Sequence, residues 1–161
     1  MNEAINFVLN GKQMTSEGDP GRPLLYVLRE ECGLTATHFG CGLNQCGACF
    51  VLVDGHAVPA CDTPLWSLTG KNVVTVEGLG TSQQPHPLQK AMIAEQAAQC
   101  GYCLSGIMIS AAALLQKNPK PDEMQVREAL DGNLCRCGAH NRIVRAVLRA
   151  AQDMQSSGVA A

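Results

Sequence analysis

The chain has 161 residues, a formal net charge of −2 and 46% hydrophobic residues, a balance that suits one or two small globular domains. Nothing in that charge points to nucleic acid or to an anionic membrane surface. No run of about 18 apolar residues spans a bilayer, and Met1-Asn2-Glu3-Ala4-Ile5 carries no basic stretch or twin arginine, so a cytoplasmic protein is expected.

Residues 5–9 form a short extended run that ends at Asn10-Gly11, a strong hairpin signal. After Pro23, the spacing of Leu24, Leu25, Val27 and Leu28 predicts a helix that stops at Cys32-Gly33. Residues 50–53 read as a strand entering a second hairpin turn at Asp54-Gly55, and residues 57–60 return from it. Residues 73–76 are β-branched and predict a further strand. Strands packed on one helix predict an α+β sheet domain of the β-grasp kind over residues 1–80.

Residues 80–87 are polar and proline-bearing and read as a linker. Beyond it, helices are predicted over 88–98, over 107–116, from an Asp122 cap to Leu130, and over 141–152. In the last, Ile143, Val144, Val147 and Leu148 share a face, and Arg142, Arg145 and Arg149 form another. The arginine stripe reads as a solvated face, with partner docking as the alternative. Four helices with short loops predict an all-α four-helix bundle over 81–161, with a frayed tail at 156–161.

Eight of the nine cysteines fall into two quartets. The first is Cys41-x4-Cys46-x2-Cys49, closed by Cys61; the second is Cys100-x2-Cys103 followed by Cys135-x-Cys137. In a reducing compartment clustered cysteines are metal ligands more often than disulfides. The first spacing is that of plant-type 2Fe–2S ferredoxins. Its loop carries Gly40, Gly42 and Gly47, which let three thiols converge from one segment.

The second quartet matches no plant-type pattern and reads, by spacing alone, as a four-thiolate metal site. Both of its pairs lie just before predicted helices, whose N-termini favour an anionic group. Zinc is the alternative occupant of either quartet, although C-x4-C-x2-C and C-x-C are atypical of zinc ribbons. A thioredoxin-like site lacks its βαβ context, and a Rieske centre lacks its second histidine ligand. Cys32 reads as a small buried hydrophobe, His38, His56 and His86 as structural or surface residues, and His140 as a neighbour of the second quartet.

The segments Gly40-Cys41-Gly42-Leu43-Asn44-Gln45-Cys46-Gly47-Ala48-Cys49, Gln99-Cys100-Gly101-Tyr102-Cys103 and Asn133-Leu134-Cys135-Arg136-Cys137-Gly138 resemble the small iron–sulfur subunits of the xanthine dehydrogenase family of molybdenum hydroxylases. The resemblance runs from about residue 5 to 150. It is especially marked for the separate small subunits of bacterial N-heteroaromatic hydroxylases of the nicotinate dehydrogenase and isoquinoline 1-oxidoreductase type. It implies a ferredoxin-like β-grasp domain followed by a helical bundle, each with a 2Fe–2S cluster.

The resemblance also implies a large partner subunit carrying a molybdopterin dinucleotide, often the cytosine form. By position, Gln99 would contact that cofactor, and Cys137 would ligate iron close to it. No catalytic residue is expected in this chain. Electrons would pass from the molybdopterin centre to an acceptor such as a cytochrome c or a flavin subunit. Two departures are evident: Gly138-Ala139-His140 follows Cys137 where many relatives read Thr-Gly-Tyr, and Leu104-Ser105-Gly106 stands where many read Thr-Pro-Gly. Other readings are a subunit of an aldehyde or xanthine-type enzyme of the same family, a stand-alone two-cluster carrier, or a zinc-stabilised interaction module.

Overall fold

Alternation in the first strand buries Ile5, Phe7 and Leu9 on one face. The computed structural model describes residues 3–157. Strand β1 (Glu3–Leu9) pairs antiparallel with β2 (Lys12–Gly18) across a two-residue turn, with Asn10 and Gly11 at φ of 49° and 79°. Strands β3 (Phe50–Val53) and β4 (His56–Pro59) repeat the device across Asp54-Gly55. Strand β5 (Asn72–Val74) runs parallel to β1 and antiparallel to β3, giving a mixed five-stranded sheet in the order β2-β1-β5-β3-β4.

The helix after Pro23 is less regular than its spacing predicts. Helix α1 (Leu24–Tyr26) widens at once into a π-helical turn, Val27–Glu31, which ends before Gly33 at φ 67°. Leu24, Leu25, Val27 and Leu28 are fully buried against the sheet with Phe7, Val51 and Val73. The strand expected over 73–76 stops at Val74. Thr75 is fully buried; its N–H donates to Asn10 Oδ1 at 2.9 Å, and its hydroxyl accepts from Asn10 Nδ2 at 3.0 Å. Those bonds replace the ladder, and Val76 opens the short helix α2 (Val76–Leu79).

Helix α3 (Pro87–Ala94) starts inside the expected linker. His86 caps it: Nδ1 accepts the Leu88 N–H at 3.1 Å, while Gln89 Oε1 accepts the His86 N–H at 2.8 Å. The helix expected to reach residue 98 ends four residues earlier, with Gln96 turned to φ 50°. Helices α4 (Leu104–Lys117), α5 (Glu123–Ala129) and α6 (His140–Ser157) follow. Asp122 caps α5 as expected, accepting the Gln125 N–H at 2.8 Å. The described part of the tail, Ser156 and Ser157, still belongs to α6; residues 158–161 lie outside the described residues, as do Met1 and Asn2.

The described chain therefore has six α-helical segments, because α1 and α2 accompany the four of the second half. The arginine stripe of α6 has a structural task. Arg145 and Arg149 pair with Glu95 at 3.4 and 3.1 Å, and Arg142 Nη1 donates to Gln96 O at 3.4 Å. Three cations thus close the C-terminus of α3, where the helix dipole favours positive charge.

Two apolar clusters result. One joins the sheet to α1; the other gathers Leu88, Ile107, Ile109, Leu115, Ile143 and Val147 among the later helices. Strand β3 belongs to both, because Val51 faces the first cluster and its neighbour Leu52 faces the second.

Candidate metal centres

The nine cysteines are free of disulfides. Cys41, Cys46 and Cys49 lie on the loop between the π-helical turn and β3. Its backbone coils through positive φ at Gly42, Asn44 and Gly47, which turns successive N–H groups inward. Cys41 Sγ accepts the N–H groups of Leu43 at 3.4 Å and Gln45 at 3.2 Å, and Cys46 Sγ accepts that of Cys41 at 3.3 Å. The Leu43 and Gln45 amides bring the Cys41 thiol down to about 7. Gly40 allows this approach, since a Cβ there would lie 2.5 Å from Cys46 Sγ.

Cys61 arrives as expected on the return of the second hairpin, where Ala60 N–H donates to Cys49 O at 3.2 Å. Burial in the sheet core pushes the Cys49 thiol up to about 12, with Cys61 beside it. Cys32 is half-buried against the same core, and burial raises its thiol; it lies outside the quartet.

The second quartet joins two helix starts. Cys103 occupies the N-cap position of α4, and Cys135 and Cys137 lie on the loop before α6. Cys137 Sγ stands 3.4 Å from Cys100 Sγ, and the Cys103 and Cys135 thiols are joined by a hydrogen bond. Ala97, Gln99 and all four cysteines line one narrow cleft. Burial, then the neighbouring Cys135, pushes Cys103 up to about 12. Burial opposes ionisation of Cys135, but the backbone N–H of Ala139 and other donors win and lower it. The Tyr102 N–H, foremost among several donors, lowers Cys100.

The thiols thus come together two by two. Among the described residues, no three or more His, Cys, Asp or Glu side chains gather around one ion. A structural zinc ion takes four thiolates on a single centre, whereas a two-iron core divides four thiolates between two irons. The donor set, its pairing and the N–H groups aimed at sulfur fit the two-iron core.

The two quartets meet along a tight seam. Leu134 N–H donates to Cys46 O at 3.0 Å, which places the residue before Cys135 against a residue of the first quartet. Asn133, 3% exposed, donates from Nδ2 to Gly47 O at 3.2 Å, and its Oδ1 has no partner. Helix α4 presses on the same loop at Gly106, where a Cβ would lie 1.8 Å from Gly47 O. His38 Nδ1 lies 2.8 Å from Tyr102 O with the two rings stacked at 4.4 Å, and the Tyr102 hydroxyl donates to Phe39 O.

The sequence signals identify the thiols but miss these seam residues. Gly106 precedes the helix expected over 107–116 and falls within α4 only because that helix starts at Leu104, so no helix-interior glycine was there to mark the close approach. Of the other histidines, His56 Nδ1 lies 3.1 Å from Asp54 O, and His140 opens α6 beside Asn133 and Leu134. Gln99 is exposed at the cleft. No helix among the described residues is long and apolar enough to cross a membrane.

Comparison with known proteins agrees with this geometry. A family model described as a 2Fe-2S iron-sulfur cluster binding domain matches residues 7–74, and one described as a [2Fe-2S] binding domain matches residues 75–148. The chain is 47% identical to one of the subunits of nicotinate dehydrogenase from Pseudomonas putida, over 94% of this chain and 97% of that protein. It is 52% identical to the alpha subunit of isoquinoline 1-oxidoreductase from Brevundimonas diminuta, over 92% and 98% respectively. It is 42% identical to xanthine dehydrogenase of Emericella nidulans, matching 96% of this chain but 12% of that much longer protein. Among solved structures, a chain of quinoline 2-oxidoreductase from Pseudomonas putida 86 superposes with a TM-score of 0.91 at 35% identity, covering 98% of each chain.

Proposed function

The chain belongs to the small 2Fe–2S iron–sulfur subunits of the xanthine dehydrogenase family of molybdenum hydroxylases, and from that premise we propose that it conducts electrons from the molybdopterin centre of a large partner subunit to an external acceptor. The reaction served is hydroxylation of an N-heteroaromatic ring, the substrate class that the names of the nicotinate, isoquinoline and quinoline enzymes share. Cys41, Cys46, Cys49 and Cys61 would hold one cluster, and Cys100, Cys103, Cys135 and Cys137 the other. When bound, each cluster supplies a one-electron redox centre.

The remaining work falls to the polypeptide. Backbone N–H groups from residues 41, 43 and 45 solvate sulfur charge in the first loop. Burial of Cys49 excludes water from the inner side of that site. The ends of α4 and α6 supply N–H groups to the second site. The hydrogen bond from Leu134 to Cys46 ties the loop of Cys135 and Cys137 to the first site. Gln99 offers an amide donor and acceptor at the exposed side of the second cleft, where the partner's pterin, in its cytosine dinucleotide form, would meet it. In this reading residues 1–80 are a β-grasp ferredoxin-like domain and residues 81–161 a four-helix-bundle domain. The assembly is cytoplasmic, and the acceptor is a cytochrome c or a flavin subunit.

The observation that carries the reading is the two-by-two pairing of eight thiols. Iron and acid-labile sulfide content, visible absorption and EPR after reduction test it. Two distinguishable 2Fe–2S signals, and co-purification with a molybdenum-containing protein, are expected. A colourless protein holding about two zinc ions refutes it. Cys135→Ser should abolish the signal of the second site and spare the first; loss of the other signal alone would show the quartets misassigned.

A further inference from the structure

The reaction needs two cluster sites held at a fixed spacing, and the seam between them is mostly backbone, apart from the Asn133 amide on Gly47 O and one stacked pair of rings. His38 immediately precedes the first cysteine loop, and Tyr102 sits between Cys100 and Cys103 of the second quartet. The Tyr102 carbonyl accepts from His38 Nδ1 at 2.8 Å, which fixes the tautomer with its proton on Nδ1. The rings stack at 4.4 Å with an interplanar angle of 14°. The Tyr102 hydroxyl reaches back to Phe39 O, and Ser105 Oγ lies 3.4 Å from the same His38 nitrogen. A single tyrosine is therefore held by its carbonyl, its ring and its hydroxyl, all from residues 38 and 39.

That tyrosine governs the second quartet locally. Its own N–H is directed at Cys100 sulfur, and the turn it occupies delivers Cys103 to the head of α4. Tyr102 itself is 49% exposed, and the turn meets the helical core at Cys103 and Leu104, on its far side in sequence from Cys100. Leu104 N–H to Gly101 O, at 3.1 Å, is a bond within the turn and does not tie it to the first loop.

We propose that His38 is a positioning residue that latches the Cys100–Cys103 turn to the first cysteine loop through Tyr102, and so sets the relative placement of the two cluster sites. This rests on the two-cluster reading above for its electron-transfer consequence, but the latch itself belongs to the polypeptide.

Two measurements on the full chain separate the two claims. The first is amide hydrogen exchange over residues 100–104 in His38→Ala, His38→Asn and Tyr102→Phe, compared with wild type. His38→Ala should exchange roughly five- to tenfold faster there, the effect of losing one hydrogen bond and a stacked ring. His38→Asn, whose amide can still donate to the Tyr102 carbonyl, should recover part of that protection. Tyr102→Phe, which loses only the bond to Phe39 O, should fall between wild type and His38→Ala. The second measurement is the magnetic interaction between the two reduced clusters by EPR, with iron and sulfide content as control. It should weaken in His38→Ala while both clusters are retained. Unchanged exchange over residues 100–104 in His38→Ala overturns the latch, whatever the metal content. Faster exchange with an unaltered spin–spin interaction overturns its role in spacing the sites. A wild-type chain without iron refutes the cluster reading and leaves the exchange test of the latch standing.

Discussion

Gly106→Ala sets two effects of opposite sign against each other. Alanine gains at most about 1 kcal/mol over glycine from propensity, a value for helix interiors, and Gly106 stands in the first turn of α4. At residue 106, however, the new Cβ would lie 1.8 Å from Gly47 O, 2.9 Å from Gly47 C and 3.2 Å from Ala48 C, all backbone atoms of the first cysteine loop. An ordinary carbon–oxygen contact is about 3.3 Å, so α4 and the loop must separate by about 1.5 Å. The loop is ill placed to yield. Gly47 O also accepts from Phe50 N at 3.3 Å and from Asn133 Nδ2 at 3.2 Å, and Cys46 O accepts from Leu134 N at 3.0 Å. Overpacking against fixed backbone costs about 1–3 kcal/mol, and straining three hydrogen bonds adds to it. We expect a net loss of about 2 kcal/mol, read as a lowered urea midpoint at unchanged slope. Gly132→Ala is the control, because its Cβ would meet only the Phe50 ring at 3.8 Å and should change little. A Gly106→Ala chain as stable as wild type, or more so, would refute the close contact.

Three further outcomes follow from the same geometry. Burial holds the His86 imidazole below its ordinary 6.5. The unfolded chain therefore takes up this proton first, and stability should decline as pH falls below about 6.5 until the folded-state value is passed; His86→Asn, which keeps a cap acceptor, should flatten that part of a urea-midpoint profile. Asn133→Asp would aim a buried carboxylate at Gly47 O and should destabilise by about 3 kcal/mol or more at neutral pH, less in acid where it is protonated, as thermal unfolding across pH would show. Glu95→Gln removes both ion pairs to α6; the melting temperature should fall at low salt and the difference should shrink at high salt.

Local chemistry was the legible part of the sequence. Asn10-Gly11 and Asp54-Gly55 state their turn geometry in two residues, and Asp122 and Gln125 declare a helix start. The cysteine spacings likewise marked the eight thiols that the fold brings into pairs. Misreadings arose where a distant partner overrode local preference. Val76 is β-branched, yet Asn10, far away in sequence, binds Thr75 and ends the strand before it. Residues 95–98 have helix-favouring composition, but Arg142, Arg145 and Arg149 fasten to the C-terminus of α3 at Glu95 and Gln96. The arginines are exposed, as the helical projection indicates, but a projection that contained no α3 could not show what they bind. His38 and Tyr102, 64 positions apart, announce nothing until the two halves face each other.

Strand β3 bears on how such a chain can be rebuilt or shortened. The polar stretch near residue 80 invites division there, as though two modules had been strung together. Yet adjacent residues of one strand, Val51 and Leu52, serve opposite apolar clusters, and Phe50 also packs on the helical side. A fragment ending at the linker would carry half of someone else's interior on its surface. A chimera that exchanges the ferredoxin-like portion between relatives must take α4 along, or match it residue for residue against β3. The covalent boundary and the mechanical one lie in different places.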